Sequence, residues 1–161
     1  MWRDEEDDDE APKRTPHQRE RAALGALAVV YREADAAYRP YACPASGECC
    51  QLSVTRRQPW LWRAEWLRVQ QRLRADGRPM PPPRADGACP LLDASGVRCS
   101  IYADRPLGCR TFFCDRIQGP PRQPVEVMDA LQRRMLQLSE ELDEDAAEPR
   151  QLLEWFERAR R

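Results

Sequence analysis

Between His17 and Arg39 the apolar residues Leu24, Leu27, Tyr31, Ala34 and Tyr38 recur in steps of three and four, the spacing that lines one face of an α-helix. Pro40 is expected to end this helix. A second helix is predicted from Pro59 through "PWLWRAEWLRVQQRLRADG", with Trp60, Trp66, Leu67 and Leu73 on its buried side and Asp76-Gly77 as its stop. A third carries Met128, Leu131, Met135, Leu138 and Leu142. Two heptads of that seam are too few for a coiled coil, so the helix is expected to pack on its own domain. A last helix after Pro149 offers Leu152, Leu153 and Phe156.

Between these helices the pattern changes. In "ACPLLDASGVRCSIY" two short apolar runs flank Asp93-Ala94-Ser95-Gly96, the signature of a small hairpin. "RPMPPPRADG" reads as a stiff, polyproline-like connector, and "ADRPLGCRTFFC" as a turn with a short helix. The fold class expected is mainly α with a small β-hairpin: an irregular, cysteine-rich, metal-centred core flanked by helices. Residues 1–16 are expected to be a disordered acidic tail, 17–145 the cysteine-cluster domain and 146–161 a C-terminal helix. There is no internal repeat.

The 161 residues suffice for one domain with terminal additions. Charged residues make up 33% of the chain, yet the formal net charge is only -1, which gives no general attraction to nucleic acid or an anionic membrane. Lys13 is the only lysine, and arginine spread along the whole chain marks no site by itself. No apolar run approaches the roughly 18–20 residues that cross a bilayer. The start, "MWRDEEDDDE", is acidic where a secretory signal would be basic and then apolar. These features point to the cytoplasm, where thiols stay reduced.

In that compartment seven cysteines read as metal ligands or redox groups, and their odd number fits no closed disulfide set. Cys43, Cys49, Cys50, Cys89, Cys99, Cys109 and Cys114 all lie between the flanking helices, in three groups: a loop, a hairpin and a turn. Thiolates are soft ligands suited to zinc and to iron–sulfur clusters, and a metal where the groups meet would cross-link three segments with little core to share. The spacing fits no common zinc-ribbon, zinc-finger or ferredoxin template. A disulfide between adjacent Cys49 and Cys50 is disfavoured, since neighbouring Cα atoms stand about 3.8 Å apart, short of a relaxed bridge. Arg105 and Arg110 bracket Cys109, and a thiolate centre needs nearby donors to offset its charge; Arg110 is expected to donate to a ligand sulfur.

His17, near the tail, is the only histidine, which excludes histidine acid–base work and HExxH hydrolysis; no GxG occurs for a dinucleotide or Walker loop. Asp93, Asp104 and Asp115 read as turn or cap residues. The arginines and tryptophans of "TRRQPWLWRAEWLR" read as core and surface of a helix, so no nucleic-acid partner is expected.

"CPASGECC" followed by "CPLLDASGVRCSIYADRPLGCRTFFC" resembles the YkgJ-type cysteine-cluster family, a zinc- or iron-chelating CxxCxxCC domain. The likeness covers about residues 41–114. It implies that Cys43, Cys49 and Cys50 match the first, third and fourth motif cysteines, that Cys89, Cys99, Cys109 and Cys114 match the downstream set, and that Ser46 replaces the second cysteine. A similar cluster accompanies flagellin lysine methylases. The function expected is metal binding (Zn2+ or Fe, including an iron–sulfur cluster) as a handler, adaptor or sensor without catalysis of its own. A protein partner could dock on the helical faces. The alternatives are a redox or protein-modification enzyme component and a thiol–disulfide switch.

Overall fold

The computed structural model describes residues 13–112, 114, 117–142 and 148–161. The expected acidic tail falls mostly on residues 1–12, and Asp115 is a further residue outside the described set. Helix α1 (Pro16–Tyr38) starts where its chemistry dictates: the Thr15 hydroxyl accepts the Gln18 N–H at 3.2 Å and Gln18 Oε1 accepts the Thr15 N–H at 2.9 Å. This reciprocal capping box satisfies two end donors, and Pro16 sits in the first turn, where its missing N–H costs nothing. The chain continues through a 3-10 turn (Glu48–Cys50), α2 (Leu52–Thr55), β1 (Trp60–Leu61), α3 (Arg63–Ala75), a second 3-10 turn (Tyr102–Asp104), α4 (Leu107–Arg110), α5 (Val125–Leu142), β2 (Arg150–Gln151) and α6 (Leu152–Arg158).

The second long helix starts four residues later than Pro59 suggests. Trp60 and Leu61 are extended because they pair antiparallel with Gln151 and Arg150. Trp60 therefore faces outward, 55% exposed, instead of joining the buried side. The other end of α3 follows its sequence. Gly77 is left-handed (φ 63°), its N–H reaches Arg74 O at 3.0 Å, and the Arg78 N–H reaches Leu73 O at 2.9 Å, the paired bonds of a Schellman stop.

Two apolar clusters fill the interior. In one, Leu27, Val30 and Tyr31 of α1 pack on Leu131, Met135 and Leu138 of α5. In the other, Trp66 of α3 stacks on Trp155 of α6 (centroids 5.7 Å apart, planes 12°) and meets Phe156 edge-on at 5.0 Å. Burying one such side chain contributes on the order of 1.5–3 kcal/mol. Trp155 also donates its indole N–H to Leu61 O at 3.0 Å. The C-terminal helix thus shares the core of α3. Cys89 is buried in this second cluster, with Cys50 and Cys99 packed at its margin.

The Asp93–Gly96 turn forms as its residues require. Asp93 Oδ1 accepts the Ser95 hydroxyl at 2.6 Å and the Gly96 N–H at 3.1 Å, and Gly96 is left-handed (φ 75°). It is closed by a single antiparallel bridge, Leu92 to Cys99, and the ladder that does form is the β1–β2 pair. The architecture is mainly α-helical with one small antiparallel sheet.

Candidate metal centre

The first cysteine loop follows α1 directly. Ala42 bridges Gln118 through two backbone bonds of 2.7 and 3.2 Å, and Cys43 follows. The loop then turns on two left-handed residues, Ala45 (φ 52°) and Gly47 (φ 71°). Left-handed Ala45 directs its N–H to Cys43 Sγ at 3.4 Å. A β-carbon on Gly47 would stand 2.9 Å from the Cα and carbonyl carbon of Val97, so only glycine lets this loop lie against the 93–99 turn. Half-buried Ser46 occupies the loop between these positions.

Backbone contacts bring the second cysteine group onto the first. The Cys89 N–H donates to Cys50 O at 2.8 Å, and the Leu92–Cys99 bridge carries Cys99 alongside. Cys109 arrives on α4. The first N–H of that helix, Leu107, donates to Glu65 Oε1 at 2.6 Å, and Gly108 lies on Pro59 and the Trp60 carbonyl. Cys43, Cys49 and Cys109 are exposed, Cys50, Cys99 and Cys114 half-buried, and Cys89 buried.

Electrostatics ties five of these sulfurs together. A hydrogen bond from the Cys50 thiol holds the Cys49 pKa well below the ordinary thiol range, and the Arg105 charge lowers it further. The same bond, then burial, then the negative charge of Cys49, Cys89 and Cys99 push Cys50 up. Burial pushes Cys89 up to about 12 and raises Cys99, against which Arg105 and Arg78 act. Cys109 reaches the surface, yet it is crowded by protein, and that crowding raises its thiol well above the ordinary value; Cys89, Cys99 and Cys49 add their repulsion. Its exposed area makes it accessible to a solution metal despite the crowding. Cys43 and Cys114 instead flank the Ala42–Gln118 bridge, with Ile117 N–H turning back to Cys114 O at 3.0 Å.

The two arginines take different roles. Arg105 stacks on the Tyr102 ring at 4.0 Å, donates to Tyr102 O at 2.9 Å, and is the cation that acts on Cys49 and Cys99. Arg110 is buried and its guanidinium is committed to oxygen: Nε to Arg105 O at 2.8 Å, Nη1 to Asp35 at 2.7 Å, and Nη2 to Ala103 O, with the plane 4.0 Å above the Tyr31 ring. No cysteine sulfur is among these hydrogen-bond partners. Asp104 receives Arg68 at 2.7 Å, a structural ion pair.

Sequence reasoning missed Glu65. It is fully buried, and besides Leu107 it accepts the Tyr31 hydroxyl at 3.2 Å and the Trp62 N–H at 3.0 Å. The Trp62 bond is the glutamate half of a helix-start box, a signal hidden while α3 is taken to begin at Pro59.

Among the described residues, no group of three or more His, Cys, Asp or Glu side chains is arranged to hold a metal ion as it stands. The donor set itself suits zinc or iron, being soft sulfur with a cation alongside. Ligation would require the thiols to deprotonate and turn among their staggered rotamers.

Among the described residues, no helix is long and apolar enough to cross a membrane. No curated protein and no solved structure matches the chain. In CxxCxxCC terms, Cys43, Ser46, Cys49 and Cys50 fill the four motif positions. A family model described as "Putative zinc- or iron-chelating domain" matches residues 42–131, more than half of the chain and all seven cysteines, and the protein belongs to this CxxCxxCC family.

Proposed function

We propose that the protein is a metal handler: it takes up zinc or iron on its cysteines and passes on or reports the bound ion, without catalysis of its own. The observation that carries this is the backbone contact of Cys89 with Cys50 and the Leu92–Cys99 bridge, which bring cysteines of two loops together, with Cys49 and Cys109 at the surface. A site whose outer ligands face solvent exchanges its metal more readily than a closed four-thiolate site. Arg105 supplies positive charge that offsets the thiolates. A reduced, cytoplasmic setting would keep the seven thiols available to a metal. A protein partner would then dock on the helical faces, and nucleic acid has no evident footing.

The second reading is a thiol switch or redox component, favoured by Cys49 being exposed and held toward the thiolate by Cys50 and Arg105. Anaerobic purification followed by elemental analysis and an absorption spectrum separates the two. Colourless protein with bound zinc, or bound iron without the inorganic sulfide of a cluster, supports handling. A brown iron–sulfur chromophore supports redox use, and metal-free folded protein with reactive thiols supports the switch.

A further inference from the structure

We propose that residues 54–60, with Phe112, form a docking surface for the chain's own acidic segment, residues 4–10, which lies outside the described residues. The inference stands apart from chelation, since it uses no metal. Its first ground is charge. Residues 4–10 are seven consecutive carboxylates. Of the chain's 27 acidic and 26 basic residues, seven acids and one base fall within residues 1–12, which leaves 20 acids against 25 bases beyond them. Residues 1–12 therefore carry a formal charge of -6 and the rest of the chain one of +5.

The second ground is a surface whose cations and apolar groups are uncommitted. The chain leaves α2 through Arg56, held left-handed (φ 53°), a conformation that residues other than glycine rarely adopt. Arg56 and Arg57 are both exposed, and among the described residues neither is paired with a carboxylate, whereas Arg68, Arg84, Arg110, Arg134 and Arg150 each are. Arg57 lies over the Phe112 ring at 5.6 Å. On either side of the two arginines stand Val54, 78% exposed, and Trp60, 55% exposed. Adjacent like charges beside exposed apolar surface suit a ligand that is anionic and carries an apolar group of its own. The segment qualifies, with Trp2 next to its carboxylates.

The third ground is reach. Arg110, two residues before Phe112, pairs with Asp35 of α1 at 2.7 Å, which sets the surface beside the carboxyl-terminal part of α1. Asp35 lies about 28 Å along the helix from Pro16, while residues 4–15 extended span at most about 40 Å. The segment can thus fold back along α1 and lay its first acids on Arg56 and Arg57. Tethering favours it over a free acidic peptide, because its effective concentration is of order mM. Gly108 rests on Pro59 and the Trp60 carbonyl, so a segment seated there borders exposed Cys109.

Lysine occurs once in the chain, at position 13, so an introduced amine reports which surface meets the carboxylates. The test is zero-length carbodiimide cross-linking of the full-length, metal-free Arg57→Lys chain, with linked peptides identified by mass spectrometry. Arg133→Lys is the reference: it is exposed on α5 beside the Arg134–Glu33 pair, at a similar height along α1. Both substitutions keep the charge at exposed positions, and an unchanged far-UV spectrum checks the fold. The expected result is a link from residues 4–10 to position 57 within the monomer, in a yield roughly ten-fold or more above that at position 133. The excess is expected to vanish in about 0.5 M salt, where screening shortens the reach of the charges. Equal yields at the two positions overturn the proposal, as does an excess that survives the salt. A link found only between two chains also overturns it, by making a second copy the occupant. Each of these failures leaves the chelating function untouched.

Discussion

Glu65 offers the sharpest energetic test. Its carboxylate is fully buried and joins three elements: the start of α3 through Trp62 N–H, α1 through the Tyr31 hydroxyl, and α4 through Leu107 N–H. Glu65→Ala orphans the two deeply placed donors, each costing on the order of 1–3 kcal/mol, while half-buried Trp62 can turn to water. Relief from no longer burying a carboxylate offsets part of this, so the expected loss is about 2–4 kcal/mol. For a chain of this size each kcal/mol moves the melting midpoint by about 2–4 °C, which places the fall at roughly 4–16 °C. Glu65→Gln keeps the shape and one acceptor but aims an NH2 at a donor, and should cost about 1–3 kcal/mol. The pH dependence carries its own sign. Burial raises the Glu65 pKa, outweighing the bonds from Leu107, Trp62 and Tyr31 that pull it down. A carboxyl raised on folding stabilises most below its unfolded value of about 4.3 and loses that contribution as pH climbs through the folded value. The Gln variant does not titrate, so its deficit should be largest in acid and narrow as pH rises. Urea denaturation at several pH values measures this. A Glu65→Ala midpoint indistinguishable from wild type, or a Gln deficit that widens with pH, refutes the reasoning.

Three further outcomes follow from single positions. Arg110→Lys should lose about 2–4 kcal/mol by urea unfolding, because one ammonium cannot span Arg105 O, Ala103 O and Asp35 while covering the Tyr31 ring. Gly47→Ala combines a left-handed φ with a clash on Val97 backbone that cannot swing aside, and should cost about 2–4 kcal/mol, measured by thermal melting. Ser139→Ala should be neutral to about 1 kcal/mol stabilising in the same melt, because its fully buried hydroxyl oxygen has no hydrogen-bond partner.

Local rules made much of the helical frame readable. The spacing of Leu24, Leu27, Tyr31, Ala34 and Tyr38 announces α1, Asp76-Gly77 announce the end of α3, and the Leu131–Met135–Leu138 stripe announces the buried face of α5. What the sequence hid is long-range. Trp60 reads as a helix residue until Gln151 is known to pair with it, and that partner lies at the far end of the chain. The same displacement concealed Glu65, whose place in the first turn of α3 is visible only from the right starting point. The cysteines were recognisable as a set because of their residue type. How the cysteine loops meet depends on backbone contacts such as that between Cys50 and Cys89, which no spacing encodes. Arg110 shows the limit of proximity in sequence, since adjacency to Cys109 on a helix points its side chain another way, toward Asp35.

The stacking of Trp155 and Phe156 on Trp66 has a consequence for biosynthesis. Residues 43–114, with every thiol, leave the ribosome before the segment that covers α3 has been made. During that interval an oily indole surface and a set of unshielded sulfhydryls are displayed together on the nascent chain. Cells producing this protein under oxidising stress, or with translation paused ahead of codon 150, should therefore accumulate aggregated or mis-crosslinked product even though the finished molecule is sound.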